Sequence, residues 1–590
     1  MSSAITEIKA PWLEHYGEVP FHLDYPRCTM LEMVEEVAGR YPELEAYSFL
    51  GKGASYKKMV EQIHQCARAF RALGIREGDR VTLCLPNSPQ AVVSFYALNA
   101  IGAVANMIHP LSGQKEIAFY LKDSGSAAAV TLDQFYGKFA AIRQEAELPR
   151  LIITSVKDAL GGVKKVGYAL TEGRKIPPLP ADADMVLWKD FLAGAEGWTG
   201  EYRAARGAGD PAAILYSGGT TGTTKGILLS NLNFNALARQ IDAMSHCFQP
   251  GRTMLAVMPM FHGFGLGVCI HSMLANGGRC LLVPRFNAAS YARLLKKERP
   301  NYIAGVPTLY EAILRQPDMQ NIDLSCLLGV FSGGDSLSIE LKKKFDKFLA
   351  EHNASVQIRE GYGTTECVTA SCLTPYHTSR EGSIGFPFPD TYYKIVKPET
   401  TEELPYGEEG EICLSGPTVM IEYVNHPQET ADTLKVHADG RTWLHTGDLG
   451  TMDADGYIYF RQRMKRMIVS SGYNIYPSQL ENVIDSHEKV FMSCVIGVPD
   501  ELKIQKVKAF VMLAPGVEPG EEIRQELLEH CRLHIARYAM PYDIEFRDQL
   551  PKTLVGKVAY KILEEQELLR IRQEKEAAEL EQEGVPARQF

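Results

Sequence analysis

The chain has 590 residues, 45% of them hydrophobic and 23% charged, with a net charge of −10. That length supports two to four domains with large cores, and the composition excludes a mainly disordered chain. The acidic balance argues against a nucleic-acid partner, which needs clustered Lys and Arg to displace counterions, but leaves room for a local basic pocket around a phosphorylated ligand.

At the N-terminus no basic region precedes an apolar run, so no secretory signal is expected. The twelve cysteines are scattered, with no C-x-x-C pair and no histidines at zinc spacing, which predicts reduced thiols in a cytoplasmic protein. "RVTLCLPN" (80–87) reads as a short strand, and "SPQAVVSFYALNAIG" (88–102) as a helix with Pro in its first turn and Gly towards its end. Val92 to Ile108 is the most apolar stretch. Ser94, Asn99, Gly102 and Asn106 interrupt it, which suits a buried helix better than a membrane span. "AAAVTL" (127–132) is a further strand. Residues 151–200 interleave Lys157, Lys164, Lys165, Arg174 and Lys175 with Leu160, Val163, Val166 and Tyr168. This segment reads as a surface insertion, with peripheral contact to a membrane as the alternative.

"PAAILYSGG" (211–219), "NYIAGVP" (301–307) and "LLGVFSGG" (327–334) are apolar runs that stop at glycine or proline. Apolar strands alternating with helices predict an α/β architecture with buried, mainly parallel sheets and ligands beyond their carboxyl ends. From about residue 380, "TYYKIVKPET", "GEICLSG" and "GYIYFRQR" suggest an antiparallel, β-rich subdomain. A second change of texture near residue 462 predicts a large domain over 1–462 and a small α+β domain over 463–590. The tail "LEEQELLRIRQEKEAAELEQEGVPARQF" reads as a solvated, fraying helix.

The chemistry centres on "YSGGTTGTTKG" (216–226), which follows the strand "AAILY" and precedes "ILLSNLNFNALARQI", a stretch that becomes helical. Glycines let backbone N–H groups approach a phosphate, Ser217, Thr220, Thr221, Thr223 and Thr224 add hydroxyls, and Lys225 adds charge. It is not a Walker A loop, because its lysine is followed by glycine; taken alone it could equally be a linker or a plain turn. Four more segments offer chemistry: "EGYGTTEC" (360–367) with Glu366, "WLHTGDLG" (443–450) with Asp448, "FRQRMKRM" (460–467) with Arg463 and Lys465, and "LPKTLVGKVAYKIL" (550–563) with Lys557. Each residue taken singly is an ordinary loop, turn or surface residue.

Together and in this order, over roughly residues 30–565, these five motifs resemble the adenylate-forming superfamily of acyl-CoA synthetases, firefly-type luciferases and nonribosomal peptide adenylation domains. "GSIGFPFPD" and "GEEGEICLSGPTVMIEYVNHPQET" resemble its connecting segments. The resemblance implies a large N-terminal domain and a small mobile C-terminal one. Ser217, Gly218, Gly219, Thr220, Thr221, Gly222, Thr223 and Lys225 would hold the ATP phosphates. Tyr362 and Gly363, with Gly333 and Gly334, would line the adenine pocket, and Thr365 would contact the α-phosphate. Glu366 would bind Mg²⁺, Asp448 and Arg463 would serve the ribose, and Lys557 would bridge carboxylate and α-phosphate. The domain would turn about Lys465 to present Gly472 to the pantetheine arm of CoA. Three positions depart from the family pattern: Thr224 stands where proline is common, Ser230-Asn231 where Thr-His is common, and Arg466 where an acid is common.

"EGYGTTEC" is most similar to the fatty acyl-CoA ligase form, which implies a fatty acid, ATP and CoA as substrates. His262, Gly263 and Phe264 of "MPMFHGFGLG" would line the acyl site, with small glycines leaving room for a chain. Delivery of the acyl group to a carrier protein is the rival within this chemistry, and a non-catalytic nucleotide-binding protein is the rival outside it.

Overall fold

The computed structural model describes residues 8–180, 185–216, 224–470, 473–500, 503–553 and 556–582. Among them, one sheet runs in spatial order Glu422–Tyr423, Gly226–Ser230, Pro211–Tyr216, Val104–Met107, Arg80–Cys84, Ala128–Leu132, Leu151–Thr154 and Val186–Leu187. From Pro211–Tyr216 onward all neighbours are parallel. A second sheet runs Phe386–Pro387, Cys372–Leu373, Ile358–Tyr362, Gly329–Gly333, Tyr302–Gly305, Thr253–Ala256, Arg279–Leu282, Glu45–Phe49 and Lys52–Ser55. It is parallel except at its two edges.

These central strands are apolar on both faces because helices cover both. One core joins the two sheets, with Val81 and Val130 of the first and Met254 and Tyr302 of the second in the same buried cluster. The helix Pro89–Ala100 lies inside that core. The Ser88 side chain caps it by accepting from the Ala91 N–H, Pro89 occupies its first turn, and every residue from Gln90 to Ala100 is buried. The apolar stretch Val92–Ile108 is therefore not one helix. It turns at Gly102, whose φ is +69°, and returns as the strand Val104–Met107.

The glycine-ended runs lie where the α/β pattern predicts, Pro211–Tyr216 and Gly329–Gly333 each ending at a Gly-rich segment. The stretch after the first such segment differs from a simple loop-to-helix passage. Gly226–Ser230 returns antiparallel to Pro211–Tyr216 before the helix Asn231–Ser245 starts. Ser230 and Asn231, the atypical pair, have structural work: Ser230 caps that helix, and the Asn231 carboxamide oxygen accepts from the Met30 N–H (3.1 Å) and the Asn99 amide (2.7 Å).

The β-rich subdomain is an antiparallel sheet of Tyr392–Val396, Gly410–Ser415, Thr442–Met452 and Leu434–Val436, with Ile458–Arg463 pairing on Thr442–Met452. The small α+β domain has its own sheet, built on the long pair Val490–Asp500 and Ile504–Leu513 and packed by the helices Pro477–Asp485 and Glu521–His534. Its last helix, Tyr560–Gln582, corrects the reading of a purely solvated tail. Leu563 is fully buried, and buried Glu567 accepts from the Lys508 ammonium at 2.8 Å. The charge of this stretch hid an ion pair that needs the core.

Within 151–200, Leu151–Thr154 adds a strand to the first sheet, whereas the helix Gly162–Leu170 buries no residue and leaves Val163 88% exposed. Among the described residues, no helix is long and apolar enough to cross a membrane.

Candidate active site

Tyr362 ends the strand Ile358–Tyr362, and its hydroxyl donates to Asp448 Oδ2 at 2.7 Å. Phe460 lies beside its ring, with centroids 5.9 Å apart. Asp448 and Arg463 face each other across the antiparallel pair Thr442–Met452 and Ile458–Arg463. Asp448 is 2% exposed; its Oδ1 sits 3.3 Å from Arg463 Nε yet accepts no hydrogen bond among the described residues. Burial raises this carboxyl above the usual range, while Arg463 and the Tyr362 hydroxyl pull it back down. A buried acceptor of this kind calls for a donor from a ligand.

Gly333 and Gly334 close the same corner. A Cβ on Gly333 would stand 3.0 Å from the Gly361 carbonyl oxygen, and Gly334 has φ +81°. A Cβ on Gly334 would be 3.6 Å from Lys557 Cε, so the lysine of the small domain reaches the glycine turn of the large one. Gly556, at φ +88°, aims that lysine, and its carbonyl accepts from the Thr308 hydroxyl at 2.6 Å across the two domains. Burial lowers the Lys557 ammonium below its ordinary value; Asp335 opposes this, Arg463 adds to it and Asp448 opposes it. His262 is pushed down to about 3 by burial and then by the Lys557 charge. It is therefore a neutral imidazole. The Phe264 N–H donates to its Nδ1 at 3.2 Å, which leaves the proton on Nε2.

Glu366 follows Thr365 in a single turn of 3₁₀ helix, Thr365–Cys367. Its Oε1 accepts from the Tyr423 hydroxyl at 2.8 Å, and Lys225 Nζ lies 4.8 Å over the Tyr423 ring. The lysine at the end of the Gly/Thr loop and the acidic residue thus meet on one tyrosine. Ser217 to Thr223 and Gly472 lie outside the described residues, but the loop's two flanks are placed. The Tyr216 ring packs 4.4 Å from that of Tyr120.

Phe264 opens the buried π-helix Phe264–Ser272, a wide turn that spreads side chains more than an α-helix does. Gly263 has a different use from leaving space for a chain. A Cβ there would lie 1.6 Å from the Val368 carbonyl oxygen, so the glycine admits the neighbouring backbone. Gly363 does the same for Thr369 and Ala370. Val368 itself has φ +67° and ψ −57°, and Thr369 N–H bonds back to the Cys367 carbonyl at 2.8 Å, a strained γ-turn in a β-branched residue. Lys465 is exposed in the 3₁₀ turn Met464–Arg466 between the last strand of the β-rich sheet and the first of the small domain. Arg466, the atypical neighbour, is spoken for: it pairs with Glu481 and lies 4.8 Å over the Tyr560 ring.

Sequence reasoning missed Tyr423 and Asp335. Tyr423 stands inside a family-like connecting segment and Asp335 directly after the run that ends at Gly334, but nothing in their spacing shows that one meets Glu366 and the other biases Lys557.

The arrangement can do one kind of chemistry well. It gathers the Lys557 cation, the buried Asp448 carboxylate, the Tyr362 ring and the Glu366 carboxylate beside the glycine turn at Gly333 and Gly334. A profile of the AMP-binding enzyme family matches residues 34–424, and one of the AMP-binding enzyme C-terminal domain matches residues 479–557. The long-chain-fatty-acid–CoA ligase of Bacillus subtilis (strain 168) is 33% identical over 564 residues, covering 94% of this chain and 98% of its own. The Yersinia pestis protein of the same name is 32% identical, covering 94% and 98%. Among solved structures, ATP-bound MatB from Rhodopseudomonas palustris superposes with a TM-score of 0.78 at 25% identity, covering 91% of this chain and 98% of that one. The chain therefore belongs to the AMP-binding enzyme family, with the family's large and C-terminal domains both present.

Proposed function

We propose that the protein is an AMP-forming fatty acid–CoA ligase. In the first half, a carboxylate oxygen of the fatty acid attacks the α-phosphorus of ATP, forming acyl-AMP and releasing pyrophosphate. In the second, the CoA thiol, losing its proton, attacks the acyl carbonyl, and AMP leaves. The observation that carries the reading is Lys557 of the small domain standing against Gly334, where its charge is biased by Asp335, Arg463 and Asp448. A fixed cation there stabilises the charge that builds between carboxylate and phosphate.

Asp448 and Arg463 take the ribose, and Tyr362, Gly333, Gly334 and Gly363 line the adenine site. Ser217 to Lys225 hold the β- and γ-phosphates, and Thr365 contacts the α-phosphate. Glu366, a hard oxygen donor beside Lys225, is the residue that would hold Mg²⁺, which when bound neutralises phosphate charge. Neutral His262 positions the reacting carboxylate and transfers no proton, with Gly263 and Phe264 beside it at the acyl site. Residues 463–590 act as a moving unit that turns about Lys465 between the halves, withdrawing Lys557 and bringing Gly472 to the CoA arm. Twelve cysteines without a disulfide support a cytoplasmic setting. The exposed Val163, Val166 and Leu170 mark the surface for any contact with a bilayer.

The test is to incubate the protein with ATP, Mg²⁺, CoA and fatty acids of graded length, and to measure pyrophosphate and acyl-CoA. Both products should appear together. Pyrophosphate without acyl-CoA would replace CoA by a carrier protein, and ATP binding without either product would remove the enzymatic reading.

A further inference from the structure

Away from the nucleotide pocket, the β-rich sheet brings together three side chains that lie far apart in sequence. Cys413 and His445 are direct cross-strand partners on Gly410–Ser415 and Thr442–Met452. His437 follows the neighbouring strand Leu434–Val436, in a turn closed by bonds from His437 N–H to the Arg441 carbonyl and from Gly440 N–H to the His437 carbonyl. All three are buried, and Cys413 has no exposed surface. The Cys413 sulfur and one nitrogen of each ring lie within 4.8 Å of one another.

The surroundings have the features of a metal site. His445 Nδ1–H donates to Glu411 Oε2 at 2.8 Å, which orients the ring so that the Nε2 lone pair a metal would use faces inward. That lone pair meets His437 Nε2 at 2.9 Å, and His437 Nδ1 is buried without a hydrogen-bond partner among the described residues. Whichever ring donates across that contact, His437 Nδ1 is left without a partner among the described residues. A cation between them gives the lone pairs an electrophile. Two negative charges, the Cys413 thiolate and the Glu411 carboxylate, would face the divalent ion, while buried Lys394 close by is paired with Asp439 at 3.0 Å. The indole of Trp443 stacks on His437 at 5.7 Å and closes one side of the cluster.

We infer that Cys413, His437 and His445 hold a structural zinc ion, oriented by Glu411. One thiolate and two imidazoles supply three of the four positions of tetrahedral zinc, at about 2.3 Å from sulfur and about 2.0–2.1 Å from nitrogen, and leave the fourth to a water molecule. The hard Mg²⁺ of the nucleotide chemistry has no affinity for such donors. The ion belongs to the fold and takes no part in acyl transfer. Its reach is nevertheless functional. Glu411, which holds His445 by one oxygen, accepts the Gly447 N–H at 2.9 Å with the other, one residue before Asp448.

The full-length protein, purified without chelator and dialysed, should carry one equivalent of zinc by elemental analysis. Cys413→Ser and His437→Asn should each carry less than a tenth of that. After removal of zinc and titration with Co²⁺, the protein should show a thiolate-to-cobalt charge-transfer band and tetrahedral ligand-field absorption. Cys413→Ser should lose the charge-transfer band while every other cysteine remains. Should the variants not fold, the cobalt spectrum of the unmodified chain decides. An octahedral, aqua-like spectrum without the charge-transfer band, or equal thermal midpoints for stripped and zinc-loaded protein in the absence of nucleotide, would overturn the assignment. Copper in the elemental analysis would overturn the choice of zinc.

Discussion

Lys557 can stabilise the adenylation step only while it is protonated, and its burial works against the proton. A lowered lysine pKa places the loss of charge on the alkaline side: the cation is intact below its depressed pKa and is lost as pH rises through it. The pyrophosphate-releasing half should therefore fall off at high pH. Asp335→Asn, which removes the carboxylate that opposes the drop, should move that limb to lower pH with little change at pH 7; an unmoved limb would mean that another group titrates. Lys557→Ala should slow adenylation by about 10²–10³-fold, the usual scale for a lost electrostatic donor, while thioester formation from supplied acyl-AMP is largely kept. Equal loss in both halves would defeat the division of labour. At this scale the motifs singled out Glu366, Asp448 and Lys557, and the structure places the three close together; their roles are those of the proposal. The sequence was silent where a role depends on strand register. Tyr423 reaches Glu366 because Tyr423 is paired opposite Ile227, and no local pattern around "MIEYVN" encodes that partner.

Among the elements, the helix Tyr560–Gln582 shows how charge can mislead. Its sequence is polar enough to suit water, yet it supplies Glu567 to Lys508, whose ammonium also lies 2.7 Å from Glu545 and 3.5 Å from Asp543. A lysine with a 1% exposed side chain in the middle of a strand needs these acids. Glu567→Ala should cost roughly 2 kcal/mol, the range for a lost hydrogen bond to a charged group. The remaining Glu545 keeps the cost below the ~3–5 kcal/mol of a stranded buried charge. Urea unfolding of the small domain, followed by limited proteolysis, measures it; an unchanged midpoint would show that Lys508 is satisfied without the helix. The parallel strands were legible because double burial leaves continuous apolar runs. The γ-turn at Val368 was not, since a valine at positive φ contradicts its own preference and is held there by Gly263 and the packed backbone. Nor was the Cys413, His437 and His445 cluster, whose members join only when three strands align.

For the molecule as a whole, the described contacts between the two domains bear on the proposed swing of the small one. The Thr308 hydroxyl on the Gly556 carbonyl is one of them, and it sits next to Lys557. Thr308→Val should slow the adenylation half by about tenfold, corresponding to ~1.4 kcal/mol for one hydrogen bond, and leave acyl transfer to CoA from supplied acyl-AMP unchanged. Half-reaction rates measured separately would show this, and a matching loss in the second half would mean that the contact persists through both. The family's architecture could be read from five ordered motifs, but these contacts could not, because they join residues some 250 positions apart.

Asp448 and Arg463 stand opposite each other at the last rung of one ladder, and the 3₁₀ turn that leads into the small domain begins with the very next residue, Met464. A sugar that donates to the Asp448 oxygens competes with the arginine that tethers this strand end. On the proposed mechanism, one carboxylate therefore bears both on whether the pocket is filled and on the strand end from which the small domain hangs, a latch shared by nucleotide release and domain swing.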